Sequence, residues 1–87
     1  MHETAWLTQL VRTVAAVARR DGARRVVGVT VRLGPSSTLS PEHLHDGFAE
    51  AARGTLAEGA RLVITRIGDE AGPIDRGEVL DSIEIET

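Results

Sequence analysis

Apolar positions recur at helical spacing in two segments of the chain. Residues 4–21 place apolar side chains three and four positions apart, which predicts an amphipathic helix that starts at Glu3 or Thr4 and stops at Gly22. A second helix is predicted to begin at Ser40-Pro41-Glu42, because serine is a common N-cap and proline favours the first helical position. Gly54 is expected to end it. The predicted apolar stripes are Leu7, Leu10, Val11, Val14, Ala15, Val17 and Ala18 in the first helix and Leu44, Phe48, Ala51 and Ala52 in the second.

Three other segments show the two-residue period of strands. Residues 24–33 alternate, and this pattern predicts a strand with one face on the core. Further strands are predicted over residues 60–67 and 79–86. The first strand is predicted to bury Val27, Val29, Val31 and Leu33 and to turn Val26, Gly28, Thr30 and Arg32 the other way. In the last strand, one face is predicted to carry Val79, Ile83 and Ile85 and the other Leu80, Glu84 and Glu86.

The element order α-β-α-β-β predicts an α+β fold. The first strand, second helix and second strand form a crossover unit, so those two strands are expected to lie parallel. The second and third strands are expected to form an antiparallel hairpin across the glycine-rich connection 68–77. The resulting architecture is a three-stranded mixed sheet with two helices packed on one face. Eighty-seven residues make one domain, 1–87.

Composition narrows the classes of function. There is no cysteine, so disulfides, thiol catalysis and cysteine-ligated zinc are excluded. Residues 69–87 hold seven acidic residues and one arginine, which argues against nucleic acid as a partner. No apolar run suits a membrane span or a signal peptide, so we expect a cytoplasmic protein without a membrane partner. A domain this short buries only roughly 60–65% of its unfolded surface, and a homodimer could add stability.

The opening tripeptide Met1-His2-Glu3 is the segment with the most specific chemistry. The α-amine, the His2 amide nitrogen and the His2 Nδ1 can close a five-membered and a six-membered chelate ring around one metal ion. A planar set of nitrogen donors suits Ni(II) or Cu(II) better than the tetrahedral Zn(II). Taken alone the signal is weak, because a histidine at position 2 usually has no role.

Other candidate residues have simpler interpretations. His43 and His45 are two positions apart on a predicted helix, so they project about 200° from each other and cannot chelate one ion together. They are interpreted as surface histidines, although one of them could supplement a site formed elsewhere. No P-loop, dinucleotide-binding or HExxH motif is present, and no residue is predicted to be catalytic.

Several blocks, taken in order, resemble the HypA family of nickel metallochaperones. They are the opening Met1-His2-Glu3, the segment 22–26, Val29, Leu33 and Gly34, the helix start 40–44, Phe48, the block 53–62 and the ending 80–86. The resemblance implies a protein that is not an enzyme and that carries nickel for the maturation of [NiFe]-hydrogenase or urease. It implies Ni(II) ligands at Met1, His2 and Glu3, and partners that include a nickel-handling GTPase and the hydrogenase large subunit.

The chain also departs from the family pattern. Members carry a zinc-binding lobe with two CxxC pairs before the last strand, whereas loop 68–77 stands in its place here. No zinc is therefore expected. Two hypotheses follow: a nickel-binding metallochaperone-like domain, or a degenerate HypA-like paralogue that acts as an interaction or assembly module without delivering metal.

Overall fold

The computed structural model describes residues 3–35, 37–66 and 77–87 and forms the predicted α+β architecture from five elements. The helices are α1 (Glu3–Arg20) and α2 (Pro41–Ala52), and the strands are β1 (Arg25–Leu33), β2 (Arg61–Arg66) and β3 (Glu78–Glu86). These bounds agree with the predicted ones to within two residues, and the mixed sheet with two helices is confirmed. Except for Gly77, the predicted loop 68–77 lies outside the described residues.

The sheet has the strand order β2-β1-β3. Strand β2 pairs parallel to β1, from Gly28 opposite Arg61 to Leu33 opposite Arg66, as the crossover predicts. Strand β3 pairs antiparallel with β1 and not with β2, so the predicted hairpin is wrong. The physical reason is the composition of β1, which contains four valines and a leucine. A hairpin would have left this most apolar strand at an exposed edge, whereas the observed order pairs both of its edges.

A β-bulge at Val27 changes which side chains of β1 enter the core. The pairing with β3 steps from Val26 opposite Ile85 directly to Gly28 opposite Glu84, so Val27 is the extra residue. An inserted residue reverses the facing of the strand beyond it. Val26 is consequently 1% exposed and belongs to the core, while Val27 is only half-buried. The predicted assignment of these two valines is wrong, and that of Val29, Val31 and Leu33 is correct.

A second bulge, at Asp81, has the same effect on β3. The pairing steps from Ser82 to Leu80, so Asp81 is the extra residue on this strand. Leu80 packs against the core together with Ile83 and Ile85, in the place predicted for Val79. Alternation alone could not predict this exchange, because the pattern assumes an uninterrupted two-residue period.

One hydrophobic core joins both helices to one face of the sheet. Every residue predicted for the α1 stripe is buried except Val17, which is half-buried, and α2 contributes Leu44, Phe48 and Ala52. The sheet contributes Val26, Val29, Val31, Leu33 and Leu62, and Ala57 completes the cluster. No helix among the described residues is long and apolar enough to cross a membrane.

The outer face of the sheet carries an ion pair that spans the central strand. Arg61 Nη2 on β2 lies 3.1 Å from Glu84 Oε1 on β3, and the two side chains meet above Gly28. A Cβ built on Gly28 would lie 2.8 Å from that carboxylate oxygen. Glycine at this position therefore leaves the space through which the two side chains meet.

We expect the Arg61–Glu84 pair to contribute little to stability. Both side chains are 67% exposed, and exposed ion pairs contribute roughly 0.2–1 kcal/mol. Urea unfolding of Arg61→Gln, Glu84→Gln and the double variant should give a coupling energy below about 1 kcal/mol, smaller still in 1 M salt. A coupling well above that range, unchanged by salt, would contradict this assessment.

Candidate metal centre

The candidate metal site lies at the N-terminal end of α1. Glu3 is the first residue of this helix and is half-buried, while Met1 and His2 lie outside the described residues. In the next turn the Thr8 hydroxyl donates a hydrogen bond to the Thr4 carbonyl, with an oxygen–oxygen distance of 2.9 Å. Glu3, the one residue of the tripeptide that the structure describes, is thus part of a regular helix.

Backbone nitrogen is available for a metal at this helix end. The first four N–H groups of an α-helix have no carbonyl partner within the helix. Glu3 is the first helical residue, so its amide belongs to this group. A metal ion that replaces an amide proton here would break no helical hydrogen bond. Nitrogen donors at the start of α1 can therefore serve a metal without cost to the helix.

A close contact with α2 holds the first turns of α1 in place. Leu7 is 3% exposed, and a Cβ built on Gly47 would lie 2.4 Å from the Leu7 Cδ1. A side chain at position 47 would force Leu7 to shift, so glycine allows the observed packing of the two helices. A groove of about 290 Å³ lies beside the contact and is lined by Thr4, Leu7, Thr8, Gly47, Glu50 and Ala51. The helix end that bears the tripeptide is therefore anchored on α2.

Sequence analysis did not identify Gly47 as a packing residue. A signal was nevertheless present, since a glycine inside an amphipathic helix costs about 1 kcal/mol relative to alanine and suggests a close approach by another element. The sequence could not say which element approaches. That information comes from the contact with Leu7 on α1.

The other imidazoles do not form a metal centre in the described structure. His43 and His45 both lie on α2 and are exposed. Within residues 3–35, 37–66 and 77–87, no three His, Asp or Glu side chains are grouped so as to hold an ion. Among the described residues there is thus no second group of three potential metal ligands.

The chain is similar to known nickel maturation proteins in sequence. The model of the HypA family, described as hydrogenase/urease nickel incorporation metallochaperone, matches residues 1–71. The hydrogenase maturation factor HypA of Picosynechococcus sp. is 43% identical over 67 residues, which are 77% of this chain and 59% of that protein. That of Rhizobium leguminosarum bv. viciae is 32% identical over 80 residues, covering 92% of this chain and 71% of the relative.

The fold is also found in a solved structure. The solution structure of the Ni metallochaperone HypA from Helicobacter pylori matches with a TM-score of 0.79 and covers 99% of this chain and 98% of that chain. At 16% sequence identity this likeness concerns the fold. The chain spans about three-fifths of the length of the first curated relatives that it matches. The extent of the family match, residues 1–71, establishes that the chain belongs to the HypA family.

Proposed function

We propose that this protein is a nickel-binding metallochaperone for the maturation of [NiFe]-hydrogenase or urease, and that it is not an enzyme. Ni(II) is its cargo, and Met1, His2 and Glu3 are its ligands. The observation that carries the proposal is the Met-His-Glu start at the head of α1 in a chain whose first 71 residues match the nickel-incorporation family. Family membership supports nickel as the metal, and the nitrogen donor set supports the same choice.

Each ligand has a distinct role in the proposed site. Met1 supplies its α-amine, and His2 supplies its amide nitrogen and its imidazole Nδ1. These three donors close the two fused chelate rings in one plane. Glu3 supplies the fourth donor through its carboxylate, because both positions beside the His2 amide nitrogen in that plane are already filled. Binding releases protons from the nitrogen donors, because a metal ligand must be deprotonated.

The proposed partners are those of a protein that passes nickel onward. They are a nickel-handling GTPase and the hydrogenase large subunit, to one or the other of which the protein passes nickel. We propose that the 87 residues act in the cytoplasm as a single nickel-binding domain and without zinc, because the chain has no cysteine for a zinc lobe.

Nickel titration of the tag-free protein tests the proposal. Wild type should bind about one Ni(II) per chain in calorimetry, with an absorption band in the visible range typical of planar nickel. His2→Ala removes the imidazole and one chelate ring, so its affinity should fall by about a hundredfold or more.

His45→Ala is the matched control, since it removes an exposed histidine that lies two positions from Gly47 and so projects away from the side of α2 that contacts α1. It should bind nickel as wild type does. Equal affinity in wild type and His2→Ala would refute the proposed site and favour the alternative, an interaction or assembly module of HypA type that does not deliver metal.

A further inference from the structure

A second groove between the helices carries two arginines. This arginine groove has a volume of about 430 Å³ and lies where the middle of α1 meets the end of α2. Arg12 and Arg19 lie along its α1 side, Val11, Ala15 and Ala51 give it an apolar floor, and Thr55 closes one end. None of the residues that line it is acidic. It is therefore a concave, partly apolar surface with positive charge.

No described residue neutralises the charges of Arg12 and Arg19. Both side chains are exposed, and neither has an ion pair or hydrogen bond to any residue that the structure describes. Arginines elsewhere do have such partners, for example Arg53 with Glu50 at 2.9 Å and Arg61 with Glu84 at 3.1 Å. The two guanidinium groups are therefore open to an external anion.

Two acidic residues close in sequence to the α2 end of the groove are already engaged. Glu50 is paired with Arg53, and Glu58 accepts the backbone N–H of Gly54 at 3.2 Å. Arg19 lies in the last turn of α1, where a cation stabilises the helix dipole, but Arg12 lies in the middle, where that effect is lost.

The spacing of the two arginines indicates the shape of the ligand. Residues seven apart on a helix lie about 10.5 Å apart on nearly the same side. Two side chains three residues apart on a polyproline II segment lie on the same side and are separated by a similar distance, about 9.3 Å. The guanidinium group binds a carboxylate through two parallel hydrogen bonds. A segment in the polyproline II conformation, with acidic residues at positions i and i+3 and apolar residues between them, would match both the charges and the apolar floor.

We propose that the arginine groove docks an extended acidic segment of a partner protein, with one carboxylate on Arg12 and the other on Arg19. Nucleic acid fits less well, because the chain has a net charge of −3 and the groove presents only two cations. Glu3 does not line the groove, and the proposal does not depend on nickel binding.

Fluorescence anisotropy with a labelled peptide tests this docking. The probe is a nine-residue peptide of proline and alanine with glutamate at positions 3 and 6, a composition that favours the polyproline II conformation. The Arg12→Gln/Arg19→Gln variant should bind the probe about tenfold more weakly than wild type does, because two exposed charge pairs are lost. Arg20→Gln/Arg24→Gln is the control, since it makes the same change in net charge at exposed positions outside the groove. It should bind within about twofold of wild type.

Two further arms decide between the specific groove and a general electrostatic effect. A peptide with its two glutamates adjacent should bind more weakly than the probe, since it cannot reach both arginines. Equal losses in the two double variants, or a single-stranded oligonucleotide that binds as tightly as the probe, would overturn the proposal. Both double variants should bind nickel as wild type does. A negative result in the peptide-binding experiment would therefore not count against the proposed metal site.

Discussion

Acetylation of the Met1 α-amine is expected to weaken nickel binding by about a hundredfold or more. An acetylated amine is an amide without a basic lone pair, so the five-membered chelate ring is lost. The donors of a chelate act at a high effective concentration because they are linked. Removal of one terminal donor removes this contribution to the affinity. A hundredfold change corresponds to about 2.7 kcal/mol at 25 °C. Calorimetric titration of acetylated and unmodified protein measures it directly.

The fold should survive this modification. Acetylation removes a positive charge next to the start of α1, where a helix disfavours cations, so the thermal midpoint should stay the same or rise slightly. A short peptide tag placed after Thr87 is the control, because it leaves the α-amine free and should leave nickel affinity unchanged. If the acetylated protein bound nickel as tightly as the unmodified one, the α-amine would not be a ligand, even if His2→Ala also lost binding.

Gly47→Val is expected to destabilise the domain by about 2–3 kcal/mol. A Cβ at this position would lie 2.4 Å from Leu7 Cδ1, so the Leu7 side chain, which is 3% exposed, would have to shift out of its packed position. Added carbons in a packed contact typically cost 1–3 kcal/mol. An alanine at this position would offset part of that cost through its high helix propensity, whereas valine has a lower propensity and offsets less. Urea unfolding of the two proteins gives the difference.

Two variants separate this clash from a general effect of valine in α2. Ala49→Val places the same side chain at an exposed position of the helix and should cost less than about 1 kcal/mol. Leu7→Ala in the Gly47→Val background makes room at the contact, so the double variant should be more stable than the sum of the two single changes predicts. Strict additivity would show that Gly47 and Leu7 do not restrict each other.

The helices and strands of this fold could be predicted from the sequence because each is specified by residues that lie close together in the chain. The Ser40-Pro41 start of α2, the stripe from Leu7 to Ala18 and the β-α-β crossover each depend on residues within a few turns or one connection. The partner of β3 could not be predicted in this way. Pairing with β1 instead of β2 joins residues up to 61 positions apart, such as Arg25 and Glu86, and depends on which edge of the sheet is free.

The bulges show a second limit of reasoning from alternation. Val27 and Asp81 each interrupt the pairing of β1 with β3. Each interruption moves a neighbouring side chain, Val26 or Leu80, onto the core face. A bulge forms between two strands, so its position is a property of the pair and cannot be read from either strand alone.

The same division holds for the candidate sites. Met1, His2 and Glu3 are adjacent, so the chelate rings they can form are determined by covalent connectivity, and the sequence by itself determined this candidate. The arginine groove and the contact between Leu7 and Gly47 were decided only by the tertiary structure. Both require α1 and α2 to lie side by side, and that arrangement results from the burial of their apolar stripes on one face of the sheet.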